Sequence, residues 1–145
     1  MARAGGGWRV APGRKPLTAA GAASRTERMS AGTEWVEGYV RAWGSNDPDD
    51  IAAIFTEDAV YEFSPDDPDA LRGREAIIAG WLDSKDEPDD WTFDWEVLVE
   101  TDDMVVVQGR TDYPASKLYD NLWVVRLAPD GRASRFTEWY MERDR

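Results

Sequence analysis

From Thr92 onward the large apolar side chains recur at every second position rather than every third or fourth. Phe93, Trp95, Val97 and Val99 alternate with Thr92, Asp94, Glu96 and Leu98, the pattern of a strand buried on one face. Met104–Tyr113, Leu118–Leu127 and Arg132–Glu142 read as three more strands, with Pro129-Asp130-Gly131 as a tight turn between the last two. Pro114-Ala115-Ser116 supplies another turn. Four strands joined this way form an antiparallel meander, and its apolar face must be covered by another part of the chain.

The cover lies upstream, where the period is helical. Thr33 is placed to cap a first helix, with Glu34 and Glu37 in its opening turns and Trp35, Val36, Tyr39, Val40 and Trp43 along one side. Gly44-Ser45-Asn46 ends it. Asp47-Pro48-Asp49 opens a second helix that carries Ile51, Ile54 and Phe55 inward. A short strand is expected from Ala59 to Phe63, then a Pro/Asp loop, then a third helix after Arg72-Gly73-Arg74 that buries Ile77, Ile78, Trp81 and Leu82. The order ααβα plus a meander predicts an α+β fold. Its form is a cone-shaped α+β barrel, with three N-terminal helices packed on a strongly curved antiparallel or mixed sheet. Of eight tryptophans, Trp35, Trp43, Trp81 and Trp95 are expected in the core, and Trp123 is the one best placed to touch a ligand.

Residues 1–30 are of another kind. They are rich in Gly, Ala, Arg and Pro, with Trp8, Val10 and Leu17 almost alone as large apolar groups, so they are expected to form a disordered basic extension. Met29 marks where a domain over 31–145 would begin. Nothing in this segment resembles the apolar core of a secretory signal. No apolar run approaches the ~20 residues of a membrane helix, and the expectation is a cytoplasmic protein without membrane partners.

Composition narrows the chemistry. The chain has no histidine and no cysteine, which removes Ser-His-Asp, Cys-His and His- or Cys-based metal schemes together. Acid–base work must come from carboxylates, Tyr, Lys or Arg, and neither a cofactor nor a metal is expected. The acidic runs Asp47 to Asp50, Asp66-Asp67 and Asp86 to Asp90 lack calcium-loop spacing and read as solvated loops. A formal charge of −12 disfavours nucleic acid and anionic surfaces as partners.

Three segments carry a resemblance: Asp50-Ile51-Ala52-Ala53-Ile54-Phe55-Thr56-Glu57-Asp58-Ala59-Val60-Tyr61, Arg72-Gly73-Arg74-Glu75-Ala76-Ile77, and Asp130-Gly131-Arg132 opening the last strand. Over about residues 33–143 the chain resembles the SnoaL-like branch of the nuclear transport factor 2-like superfamily. The resemblance implies the cone fold, a pocket for an apolar small molecule, and a homodimer through the outer sheet face. It leaves the reaction open, because the superfamily holds isomerases, epoxide hydrolases, dehydratases, polyketide cyclases and non-catalytic binding domains. Scytalone dehydratase relies on histidine, which is absent here. The base position of the steroid isomerases falls on Phe63, although Tyr39 matches their helix-borne oxyanion tyrosine.

Taking the Pro129-Asp130-Gly131 turn as closing symmetrically pairs Trp123 with Phe136, Asn121 with Glu138 and Tyr119 with Tyr140. The same treatment of the preceding turn pairs Arg110 with Asn121 and Asp112 with Tyr119. All eight would then share one wall. Arg110, Asp112 and Glu138 resemble the Asp-Arg-Asp set of limonene-epoxide hydrolase, in which one acid activates water and the other donates to the opening ring. They are therefore the candidate catalytic residues. Tyr39, Tyr61, Tyr119, Asn121, Trp123, Phe136 and Tyr140 are the candidate ligand-binding residues, with Asn121 or Tyr61 able to orient the water. The alternatives are a plain cross-strand ion pair at Arg110 and Asp112, and a dimeric ligand-binding or assembly domain without chemistry.

Overall fold

The computed structural model describes residues 30–144, so the basic segment expected to be disordered lies outside the described residues, apart from Ser30. Helix α1 spans Ala31–Ser45 and starts earlier than Thr33. Ser30 is its N-cap, its hydroxyl accepting the Thr33 N–H at 3.1 Å, while Glu100 accepts the Gly32 N–H at 3.2 Å and faces the positive helix end. Asn46 closes α1 in the left-handed region (φ 52°), a conformation its short polar side chain tolerates.

Helix α2 is a short Pro48–Ala52 segment capped by Asp47. It stops before Ile54 and Phe55, which the helical reading had included. Strand β1 runs Phe55–Glu62 and begins four residues before Ala59. Two hydrogen bonds draw this stretch out of the helix: Ile54 O accepts both the Ala133 N–H and the Trp35 indole N–H, each at 2.8 Å. Strand β2 is the pair Leu71–Arg72, which alternation alone could not reveal. Helix α3 spans Arg74–Asp83, a 3-10 turn Pro88–Asp90 follows, and the meander comprises β3 Thr92–Glu100, β4 Met104–Asp112, β5 Leu118–Leu127 and β6 Ala133–Arg143.

The six strands form one mixed sheet in the order β2-β1-β6-β5-β4-β3. β1 lies parallel to β6 and all other pairs are antiparallel. β2 and β3 remain as edges, so the sheet curls without closing. Helix α1 fills the concave side. The Trp35 ring lies 5.1 Å from Phe136 and 6.1 Å from Trp123, and the Tyr39 ring lies 4.6 Å from Trp123. The four tryptophans expected in the core are all buried there. Gly109 lies under the Phe93 ring. A Cβ there would collide with that ring, so glycine is what lets Phe93 lie flat on Trp123 at 4.8 Å.

Candidate functional site

The concave wall is set by two hairpins, and their registers decide which side chains meet. In β5–β6 the turn closes on Leu127 and Ala133, and a bulge next to Arg126 adds one more residue. The observed pairs are Trp123–Glu138, Asn121–Tyr140 and Val125–Phe136, two residues away from the symmetric reading. A shift of two preserves the face, so Tyr119, Asn121, Trp123, Phe136, Glu138 and Tyr140 still share one wall.

The β4–β5 turn behaves differently. Its three residues Pro114, Ala115 and Ser116 close on Tyr113 and Lys117, the Tyr113 N–H reaching Lys117 O at 2.8 Å. Arg110 then pairs with Asp120 and Asp112 with Leu118, one residue from the expected register. A slip of one turns both side chains outward. Arg110 is half exposed and bonded to Asp120 at 3.0 Å, and Arg143 joins the same carboxylate from β6 at 3.2 Å. The expected grouping of Arg110 and Asp112 with Glu138 is therefore corrected: Glu138 faces the interior, while the other two face outward. Gly109 and Thr111 take the inward positions on β4.

Glu138 is fully buried. Its Oε1 accepts the Tyr61 hydroxyl at 2.7 Å, and the Tyr61 oxygen lies 2.8 Å from that of Tyr39. Because Tyr61 donates to Glu138, the Tyr39 hydroxyl donates to Tyr61, which gives a one-way chain from α1 through β1 to β6. Oε2 meets no donor at hydrogen-bond geometry among the described residues, although the Trp123 indole is near enough to act on the carboxyl. Burial pushes the Glu138 carboxyl up to about 7, against the downward pull of the Tyr61 and Trp123 donors and with added push from Asp86. With Oε1 occupied by a phenol, the acid proton belongs on Oε2. Burial and Glu138 in turn hold Tyr61 well above the ordinary phenol range, so it works as a fixed donor.

Around this acid the wall is aromatic. Trp123 stands directly across from Glu138 and stacks on Phe93, Tyr119 meets Tyr140 edge to face at 5.7 Å, and Phe136 packs against Tyr61 at 4.6 Å. Asn121 is buried on the same wall, its Oδ1 accepting the Thr111 hydroxyl at 3.2 Å. Tyr39, Tyr61, Tyr119, Asn121, Trp123, Phe136, Glu138 and Tyr140 thus meet on the concave side, and Arg110 and Asp112 do not.

One acid was passed over as a solvated loop residue. Asp86 is partly buried, and its Oδ2 accepts the Trp43 indole N–H at 3.1 Å and the Tyr113 hydroxyl at 3.2 Å. Asn46 fixes the loop, donating to Asp86 O at 3.0 Å while accepting the Trp81 indole at 3.1 Å. Burial raises the Asp86 carboxyl despite its two donors. The signal available beforehand was the tryptophan count itself. A buried indole needs an acceptor, and a nearby acidic loop is the obvious supplier. Among the described residues, no group of three or more acidic side chains is arranged to hold a metal ion. Nor is any helix there long and apolar enough to cross a membrane.

A curled six-stranded mixed sheet wrapped on one long helix is the nuclear transport factor 2-like class of α+β folds. Within that class the chain belongs to the SnoaL-like domain family, whose profile matches residues 36–143. A nuclear transport factor 2-like protein of unknown function from Silicibacter pomeroyi superimposes with a TM-score of 0.54 at 26% identity, covering 82% of this chain and 98% of that one. SalBIII, an epoxide hydrolase/cyclase-like enzyme of pyran ring formation in the polyether salinomycin, gives 0.59 at 21% identity over 75% and 89% of the two chains. A Mycobacterium tuberculosis protein in complex with estradiol-17beta-hemisuccinate gives 0.50 at 11% identity over 76% and 93%. No curated protein matches the sequence.

Proposed function

We propose that this protein binds an apolar small molecule against the concave wall and moves a proton at Glu138 Oε2. The observation that carries this reading is a carboxyl buried among aromatic rings with one oxygen bonded and the other without a hydrogen bond. Burying such an atom costs about 1–3 kcal/mol unless water or a guest satisfies it. An acid near neutrality can both give and take a proton, which suits epoxide opening, isomerisation or cyclisation. Tyr39 and Tyr61 hold Glu138 in place. Trp123, Phe136, Tyr119 and Tyr140 supply the apolar surface, and Asn121 a polar contact. SalBIII shares the fold and gives the epoxide class a precedent.

A homodimer belongs to the same reading, supported by the exposed apolar side chains of Leu98, Val99 and Met141. The test is turnover of a panel of epoxides and polyketide-like ketones by the wild type and Glu138→Gln. Turnover in the wild type that drops about a hundredfold or more in the variant is expected. Equal rates, or a wild type inert across the panel, would defeat the acid–base role. Binding without turnover would leave a ligand-binding domain of the same architecture.

A further inference from the structure

Glu138 is not alone on the wall in carrying a polar atom without a hydrogen bond. Asn121 Nδ2 is buried, carries two N–H donors, and finds no acceptor among the described residues. The Thr111 hydroxyl, itself fully buried, donates to the carbonyl end at 3.2 Å, which leaves the Nδ2 end for a guest. The register fixes its relation to the acid. Asn121 stands opposite Tyr140 and Glu138 opposite Trp123, so the two are diagonal neighbours on one face. Their backbones are then about 7–8 Å apart, within joint reach of one small molecule. The amide offers donors, and Glu138 Oε2 offers an acid or its conjugate base. Tyr119, Trp123 and Tyr140 lie on the same face of these two strands.

We propose that Asn121 is the specificity-determining residue of the site, and that it selects apolar ligands carrying a carbonyl oxygen, such as ketones, esters or lactones, over hydrocarbons of the same shape. This rests on the guest-binding reading above and adds the ligand class to it. A purely apolar guest would leave the buried amide unmet, whereas a carbonyl oxygen accepts from it directly. A site built around such a donor rejects the analogue that lacks the matching atom far more strongly than it rejects a change of size. Thr111 acts as a positioning residue, since it fixes which end of the amide faces the guest.

Calorimetric titration with methyl naphthyl ketone and ethylnaphthalene tests this. The two probes share a ring system and differ in the oxygen. The wild type is expected to bind the ketone about tenfold or more tightly than the hydrocarbon. Asn121→Leu should bind both with a ratio near one. Thr111→Val keeps the volume and removes only the hydroxyl, so it should lower the ketone preference, and it decides the matter alone if Asn121→Leu does not fold. Equal affinities in the wild type, or a preference that survives in the variants, overturns the role of Asn121 and leaves the guest site standing. A wild type that binds neither probe overturns both.

Discussion

Glu62 and Glu138 lie on adjacent strands, both removed from water, and their surroundings treat them in opposite ways. On the outer side of β1 and β6, Glu62 takes a two-pronged grip from Arg135 at 2.9 and 3.0 Å and the Thr137 hydroxyl at 2.7 Å. Burial works to raise its carboxyl, yet these donors bring it below the ordinary range. On the inner side, Glu138 has only the neutral donors Tyr61 and Trp123, and burial prevails. What separates the two acids is a cation as well as depth: Glu62 meets a guanidinium near the surface, whereas Glu138 lies deep in the core with neutral donors only. The outer acid staples the one parallel strand pair of the sheet. The inner acid is left with an open oxygen.

That contrast can be broken most directly by stability measurements. Arg135→Met strands the Glu62 carboxylate against the sheet, and loss of one member of a buried pair costs about 3–5 kcal/mol. The guanidinium is 39% exposed, so the lower end, about 3 kcal/mol, is expected in urea unfolding. Glu138→Leu removes an incompletely bonded acid but leaves one phenol donor of the Tyr39–Tyr61 pair without an acceptor, so a smaller loss, about 1–2 kcal/mol, is expected. Comparable losses in the two variants would dissolve the distinction between the acids.

The sequence made one half of this contrast legible and concealed the other. Period-two alternation located all four meander strands, and helical spacing placed Trp35, Tyr39 and Trp43 against them. Glu138 fell on the correct face because its hairpin missed the symmetric register by two, and faces repeat every two residues. Arg110 and Asp112 were misplaced because the neighbouring hairpin missed by one, a difference set by backbone hydrogen bonds at Tyr113 and Lys117 that composition does not encode. Glu62 gave no signal of its own. Its partners Arg135 and Thr137 lie on a strand parallel to β1 and more than seventy positions away, and no local pattern announces such a crossover. Phe55 read as helical because its apolar neighbours Ile51 and Ile54 continue the helical spacing, and only the pairing with Ala133 draws it into a strand.

The pH dependence of stability sharpens the same comparison with an effect of similar size. The Glu138 carboxyl stands near 7 in the folded protein against an ordinary 4.5, so between these values the folded state holds a proton that the unfolded state has lost. Stability from this group is complete below about 4.5 and drains away as pH rises through 7, by about 3 kcal/mol in all. Glu62 runs the other way, contributing above the ordinary carboxylate range and losing its contribution as pH falls through its depressed folded value. The general repulsion of an acidic chain affects every variant alike and cancels in differences. Stability of Glu138→Gln relative to wild type should therefore climb from pH 4.5 to 7.5, whereas that of Glu62→Gln should fall over the acid range and then level off. A flat difference for Glu138→Gln would show that its carboxyl titrates as an ordinary one.

The smallest expected effects lie on the outer face, and they test the corrected register itself. Arg110, Asp120 and Arg143 form an exposed network whose side chains are 38–50% accessible, so each ion pair contributes at most about 1 kcal/mol and fades with salt. Arg110→Ala should lower stability by no more than that and leave both turnover and ligand affinity unchanged. Asp112→Asn should likewise leave them unchanged, since its side chain shares the outward face with Arg110. If either substitution abolished turnover while Glu138→Gln did not, β4 would have to present its even-numbered residues to the interior. Gly109 and Thr111 would then move outward, and the space that Gly109 leaves for Phe93 would have no purpose.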